Sequence, residues 1–356
     1  MVQFVGVKTI VDLVRAKGPE QFLSGLVDYI EHDFKRWESF EKSARLASHS
    51  SDGVIELMPT SDGDLYAFKY VNGHPNNTRD GLLTVTAFGV LADVHTGYPL
   101  LLSEMTVATA LRTAATSALA AKYLARKDSR VMALIGLGAQ AEFQALSFKA
   151  ALGVRQLRVF DVDPAATQKF IANLAGFGFT IIAANSVADA VRGVDIVTTA
   201  TAAKSRAAVI TPEMVAEGMH FNAIGGDCPG KTEIHPDALR RTNIFVEFPP
   251  QSRIEGEIQQ LGAQSPVTEL WRVIAGQERG RVNARDVTLF DSVGFAIEDY
   301  STLRYLRDLM NASGLDHRLD LVPHLDNPKD LFGLIAKGGS LAARGRLEGA
   351  ALKGIA

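Results

Sequence analysis

Cysteine is almost missing from this chain of 356 residues: Cys228 stands alone. That excludes an intramolecular disulfide framework and any cysteine-rich metal site, and it suits a reducing compartment. A strong excess of either charge is missing too. Lysine and arginine number 37 against 40 aspartates and glutamates, a formal net charge of -3. Neither nucleic acid nor an anionic membrane surface is therefore an expected partner. No apolar run approaches the ~20 residues of a membrane-spanning helix. Met1 to Ile10 lacks the basic region and long apolar core of a secretory signal. His95, His220 and His235 show no metal-ligand spacing, so no metal is expected. These absences leave a cytoplasmic protein as the default, long enough for two domains with a core each.

What is present is organised around Arg130-Val-Met-Ala-Leu-Ile-Gly-Leu-Gly-Ala-Gln-Ala-Glu142. Val131 to Ile135 reads as a buried strand, and helix formers follow from Ala139 to Ala151. Gly136 lets the chain turn, Gly138 removes the side chain that would block a pyrophosphate, and Ala141 is small enough for helix to pack on strand. The N–H groups opening that helix face an anion, with the helix dipole in support. A second apolar run, Leu157-Arg-Val-Phe-Asp161, ends in an acid 25 positions after Gly136, where a carboxylate can accept the ribose hydroxyls of a dinucleotide. Asp161 would repel a 2′-phosphate, which favours NAD over NADP. A glycine turn in some other α/β protein is the competing reading.

Residues 1–50 read as helical, with Thr9 to Ala16 and Pro19 to Ser43 apolar at three- and four-residue spacing. The period then changes to two. Glu56 shares a face with Val54 and Met58, and Lys69 shares one with Ala67 and Val71, so each places a charge among apolar neighbours. With Leu82 to Leu91 and Leu100 to Glu104 they form an expected antiparallel meander. An alanine-rich helix, Met105 to Arg126, carries Arg112 and leads into strand candidates at 131–135, 157–161, 179–183, 194–199, 219–224, 243–247 and 287–290. The expected fold is α/β: a Rossmann-type doubly wound parallel sheet over residues 116–315, plus an α+β substrate-binding and dimerisation domain over 1–115 with 316–356. Ala296 to Leu309 is expected to return toward that first domain, and the tail from Ala336 onward to be solvated or to contact a partner.

The other informative stretch is His220-Phe-Asn-Ala-Ile-Gly-Gly-Asp-Cys-Pro-Gly-Lys-Thr-Glu233. A strand running into Ile224, Gly225 and Gly226 places Asp227 at the carboxyl edge of the sheet, facing the redox end of a cofactor. Among glycines it has little to hydrogen-bond, which favours a raised pKa and proton transfer. An Asx-type cap of the next turn is the alternative. Cys228 has no histidine near it in sequence and reads as packing rather than as a nucleophile.

Gly225-Gly-Asp-Cys-Pro-Gly-Lys-Thr-Glu233, Ile135-Gly-Leu-Gly-Ala-Gln140, Lys69-Tyr-Val-Asn-Gly-His-Pro75, Leu111-Arg-Thr-Ala-Ala115 and Phe290-Asp-Ser-Val-Gly-Phe295 together resemble the ornithine cyclodeaminase/mu-crystallin superfamily over roughly residues 30–333. The aspartate stretch resembles its cyclodeaminating members more than its alanine dehydrogenases or ketimine reductases. The resemblance implies an NAD-dependent homodimer converting L-ornithine to L-proline and ammonia. It also implies that Arg45, Lys69 and Arg112 hold the substrate carboxylate, three isolated cations in otherwise uncharged settings. Asp227 matches the proton-transferring acid and Glu56 a carboxylate near the reacting amines. Thr84, Arg112, Gly136, Gly138, Ala139, Gln140, Asp161, Thr201, Ile224, Gly225, Gly226, Lys231 and Ser292 match cofactor contacts, with Ser292 and Val293 closing the site around nicotinamide and substrate. Read without the resemblance, the three cations are ordinary surface charges, and Thr84, Thr201 and Ser292 are hydroxyls capping strand ends. Three rivals stay open: cyclodeamination of lysine to pipecolate, an amino-acid dehydrogenase or ketimine reductase, and a non-enzymatic NAD(P) binder.

Overall fold

The structure is a computed structural model that describes residues 1–202 and 206–336; the tail expected to be solvated lies, beyond Ala336, outside them. The first sheet comprises β1 (Val2–Val5), β2 (Leu46–His49), β3 (Val54–Ser61), β4 (Leu65–Gly73), β5 (Ala87–Asp93) and β6 (Pro99–Glu104). The second begins with β7 (Val131–Ile135), β8 (Gln156–Phe160), β9 (Thr180–Ala183) and β10 (Ile196–Thr199). After β11 (Arg206–Ile210) it continues through β12 (His220–Ala223), and after β13 (Thr232–Ile234) through β14 (Asn243–Val246), β15 (Thr268–Glu269) and β16 (Thr288–Asp291). A last strand, β17 (Arg318–Leu319), rejoins the first sheet.

The first sheet runs β17-β1-β6-β5-β4-β3-β2. From β2 to β6 it is an antiparallel meander, while β1 lies parallel to β6 and antiparallel to β17. The helical expectation for residues 1–50 is corrected at both ends. β1 is too short to show a period of its own and is recruited by β6, and β2 is an exposed edge strand. Between them, helices Val7–Lys17 and Pro19–Lys35 stand as expected, with Pro19 at a position where no N–H is needed. The second stops eight residues short of Ser43, because Trp37 and Phe40 leave its apolar stripe to enter the core. The strand expected from Leu82 begins only at Ala87, since Pro75–Asp80 is a short 3-10 turn.

The second sheet is wholly parallel, in the order β15-β14-β16-β12-β10-β7-β8-β9. From the β9 edge inward its strands run third, second, first, fourth, fifth, so the order reverses between β7 and β10, the point where doubly wound sheets open a ligand crevice. Both faces are covered, and β7 shows why its run reads as continuously apolar. Met132 and Leu134 enter one core cluster while Ala133 and Ile135 enter the other. The first cluster extends without a break through Ala108, Leu111, Ala115 and Leu119 to Leu91 and Leu101 of the first sheet. The boundary expected at residue 115 falls inside one continuous helix, Thr106–Leu124, and helix Ala296–Ser313 packs on β4 and β5 of the first sheet. Among the described residues no helix is long and apolar enough to cross a membrane.

Candidate active site

The floor of the crevice is the turn after β7. Gly136 has φ +91°, and a Cβ there would stand 2.6 Å from the carbonyl oxygen of Ala200. Only glycine fits on both counts. A Cβ on Gly138 would instead project into open space. Helix Ala141–Leu152 starts two residues after the exposed Ala139, with Ala141 fully buried where helix meets strand. Gln140 keeps a buried Oε1 with no hydrogen-bond partner among the described residues. Asp161, just past β8, accepts from Leu137 N–H at 2.6 Å and from Asp163 N–H at 2.8 Å, which orients its carboxylate beside the glycine turn.

The walls are built by acids that local patterns do not reveal. The Glu233 carboxylate accepts from Thr201 N–H at 2.6 Å and Gly225 N–H at 3.1 Å, joining the loops after β10 and β12. A Cβ on Gly225 would stand 2.3 Å from that carboxylate, and one on Gly226 would stand 2.7 Å from Glu257 Oε1. These glycines therefore make room for buried acids behind them. Ile224 N–H continues the sheet by donating to Thr199 O. The expectation that Asp227 lacks hydrogen-bond partners is corrected: its Oδ1 accepts from Lys231 Nζ at 3.0 Å, with the Asp227 side chain 53% exposed. Burial by itself would lower Lys231, but the Asp227 charge and hydrogen bond reverse that and hold the ammonium above its usual range.

At the other end the first sheet supplies charge. Lys69 Nζ, on the inner face of β4, donates to Asp299 Oδ1 at 2.9 Å. Arg112 donates from Nη1 to Glu298 Oε2 at 2.8 Å and from Nε to Asp299 Oδ1 at 3.2 Å. Arg45 donates from Nη1 to Glu56 Oε2 at 3.0 Å and from Nη2 to the carbonyls of Val293 and Gly294. The three cations are thus not in uncharged settings, as expected from sequence, because helix Ala296–Ser313 and helix Pro249–Glu255 bring acids to them. Burial, then the neighbouring Arg112 charge, lowers Lys69 to about 8 against the pull of Asp299. Burial likewise pushes Glu298 up to about 8 despite Arg112.

One turn links the two ends. Ser292 Oγ donates to Glu247 Oε1 at 2.7 Å, and Gly294 N–H donates to the same oxygen at 3.2 Å. Gly294 has φ +78°, and a Cβ there would meet Arg112 Nη1 at 2.4 Å. Arg45 thereby ties Glu56 to the Val293–Gly294 carbonyls, Lys69 and Arg112 share Asp299, and Asp227 and Lys231 stand together after β12. Thr84 stays apart: the hydrogen bonds at its carbonyl come from His74 N–H at 2.8 Å and Asn72 Nδ2 at 3.4 Å. Glu233, Glu247, Glu255, Glu257, Glu298 and Asp299 escaped the sequence reading. Glu298 and Asp299 carried one signal, two acids in the first turn of a helix, but that is also what an ordinary helix start looks like.

A parallel sheet whose order reverses beside a glycine turn, with acids and cations at its carboxyl edge, defines a Rossmann-type protein with a site for a small charged molecule. The chain belongs to the ornithine cyclodeaminase/mu-crystallin family, whose model matches residues 7–314. It is 62% identical over 337 residues to an ornithine cyclodeaminase of Agrobacterium fabrum, covering 95% of each chain. Among solved structures it resembles a lysine cyclodeaminase that recognises L-lysine, L-ornithine and L-2,4-diaminobutyric acid, with a TM-score of 0.84, 29% identity and coverage of 94% of this chain and 99% of that one. An archaeal alanine dehydrogenase dimer with bound NAD matches with a TM-score of 0.83, 29% identity and coverage of 90% and 99%.

Proposed function

We propose that this chain is an NAD-dependent ornithine cyclodeaminase, converting L-ornithine to L-proline and ammonia. The observation that carries the reading is the linkage of three cations, Arg45 and Arg112 at the turn 293–294 and Lys69 sharing Asp299 with Arg112, together with an acid at a strand end, Asp227, held by Lys231. Kinship supports it, through the 62% identity to a relative of that name.

The crevice fits NAD: open space above Gly138 for the pyrophosphate, helix N–H groups from Ala139 and Gln140, the unpartnered Gln140 Oε1, and Asp161 for ribose hydroxyls. Thr201, Ile224, Gly225, Gly226, Lys231 and Ser292 are assigned to the redox end and Arg112 to the side of the first sheet, while Thr84, which stays apart, is left out. When bound, NAD supplies reversible oxidation at Cα of the substrate. The chain's own residues handle charge and protons. Lys69, Arg45 and Arg112 orient the substrate carboxylate, and Arg112 Nη2 makes no hydrogen bond among the described residues. Ring closure needs a neutral δ-amine, and Asp227 or Glu56 accepts its proton. Asp227 then protonates the departing α-nitrogen, and the folded substrate chain supplies proximity.

The assembly reading is a homodimer through the outer face of the first sheet. There Leu46 is 63% exposed, Leu57 40% and Phe88 43%, with Phe88 stacked on Tyr70 at 5.0 Å. Leu46 and Leu57 are register partners, so the patch is continuous rather than scattered. A solution mass of two chains that falls to one in Leu57→Glu is the expected result of light scattering.

The functional test is incubation with NAD below the concentration of L-ornithine or L-lysine. Proline and ammonia should form in amounts exceeding the NAD supplied, with little NADH accumulating. NADH appearing in step with substrate consumed would identify a dehydrogenase instead, and pipecolate outrunning proline would identify a lysine enzyme, a difference of one methylene worth only about 1–3 kcal/mol.

A further inference from the structure

Around Arg45 the charges do not balance. Arg45 Nη1 donates to Glu56 Oε2 at 3.0 Å, while its Nε lies 3.5 Å from Glu255 Oε2, an ion pair without a hydrogen bond. Both atoms of that second contact, Arg45 Nε and Glu255 Oε2, are buried and have no hydrogen-bond partner among the described residues. Asp227, held by Lys231, is close enough for its charge to act on Glu255. Three separate elements therefore bring three carboxylates, Glu56, Glu255 and Asp227, to two cations, Arg45 and Lys231. Fully ionised, the group carries one uncompensated negative charge, in a place where the Glu255 side chain is only 8% exposed. The buried part of the set, Arg45 with Glu56 and Glu255, is the part that gains most from one more positive charge.

Arg45 is the cation that acts on Glu255 directly, and with no substrate bound the further charge is a proton. Burial, with Glu56 and Asp227 adding to it and Arg45 opposing, pushes Glu255 up to about 7. Glu56 is the poorer host for a further donor, because its Oε2 already accepts from Arg45. Glu255 Oε2 is open.

We propose that Glu255 receives the distal ammonium of the substrate and so makes the site select diamino acids over amino acids whose side chains end uncharged. The proposal rests on the cyclodeaminase reading and deepens it. Binding is then an exchange: protonated Glu255 releases its proton to solvent, and the ammonium donates an N–H to the freed Oε2, with no change of oxidation state. The amine that must later lose a proton is left beside Asp227 and Glu56.

The test compares L-ornithine with L-norvaline, which has the same chain length and no δ-amine, on the full chain loaded with NAD. Glu255→Gln should weaken ornithine by about tenfold or more, the scale of a lost charge-assisted hydrogen bond, and leave norvaline within about twofold. Glu255→Asp, which keeps the charge, should recover part of the ornithine affinity. Titration calorimetry near neutral pH, in buffers of different ionisation enthalpy, should find protons released when wild-type protein binds ornithine but not norvaline, and none released by Glu255→Gln. Equal weakening of both ligands would show that Glu255 only braces Arg45 and would overturn the proposal, as would undiminished ornithine binding. Wild-type protein that binds norvaline but fails to bind ornithine overturns the cyclodeaminase reading along with it.

Discussion

Two regions of the crevice bury carboxylates by different means. On the side of the first sheet, Glu56, Glu255, Glu298 and Asp299 face Arg45, Lys69 and Arg112. At the strand ends, Glu233, Glu257 and Asp291 accept instead from backbone N–H groups. Asp291 accepts from Glu257 and Ile258, Glu257 from Glu233 and Ile234, and Glu233 from Thr201 and Gly225. The second set is a chain of braces, each acid holding the backbone of the next and the last holding both lips of the crevice. Backbone dipoles do not cancel a full charge, so these acids gain little reason to ionise and much reason to stay in place. The first set pairs its acids with side-chain cations, whose charges a substrate carboxylate or ammonium can join. The strand-end acids fix shape, and the paired acids set recognition.

The sharpest way to break this division is at Asp227, which neither braces backbone nor is buried. Asp227→Ala should leave NAD binding and the unfolding midpoint nearly intact while cutting turnover by about 10²–10⁴, the reach of general acid–base catalysis. Near-normal steady-state turnover would remove Asp227 from the chemistry. Next in size is Arg112→Met, which takes the cation from the buried Glu298 and leaves Asp299 to Lys69 alone. Breaking a buried pair from one side costs about 3–5 kcal/mol, and chemical denaturation should record a loss of that order together with lost ornithine binding.

The braces should show themselves through pH. Burial pushes Glu257 up to about 9, with Asp291 adding to it, and pushes Asp291 up to about 7. A carboxyl whose folded pKa is raised holds a proton that the unfolded chain has already lost. Its stabilising contribution is complete below the unfolded value and is lost as pH rises through the folded one. The unfolding midpoint should therefore decline from about pH 5 toward pH 9. Lys69, lowered to about 8, has the opposite sign and offsets part of that loss only above its own value. Glu257→Gln, which cannot ionise, should flatten the decline; an unchanged slope in thermal melts would place the titrating groups elsewhere.

The same contrast explains what was legible in the sequence. Gly136, Gly138, Gln140 and Asp161 sit within 25 positions of one another, and each role follows from backbone geometry that a local pattern encodes. The parallel strands were readable for the same reason, being short apolar runs at regular intervals. Asp227 was readable as an acid at a strand end, but its Lys231 partner was read only as a cofactor contact. The charge pairs were not readable, since Arg112 and Asp299 are 187 positions apart, Lys69 and Asp299 230, and Arg45 and Glu255 210. Nothing local marks such partners until the two sheets are packed on a common core. Glu233 was quoted as the end of a motif, yet its work is done on Thr201, across 32 positions.

The smallest effect tests whether the turn at 292–294 belongs with the braces or with the charges. Ser292 Oγ donates to Glu247 Oε1, as does Gly294 N–H, and Arg45 holds the Val293 and Gly294 carbonyls from the opposite side. Burial raises Glu247, with its Ser292 and Gly294 hydrogen bonds opposing and the nearby Asp291 adding to the rise. Ser292→Ala deletes one of these bonds and leaves Glu247 still bonded to Gly294 N–H, so stability should fall by only about 0.5–1.5 kcal/mol. If the turn is a brace, that loss appears in the unfolding midpoint while the ornithine KM stays within about twofold, because Arg45 and Gln251 still grip Gly294. If the turn instead carries recognition, KM rises as Arg45 loses its fixed carbonyl partners and the midpoint barely moves, which would place Glu247 with the first-sheet acids and redraw the division between the two regions.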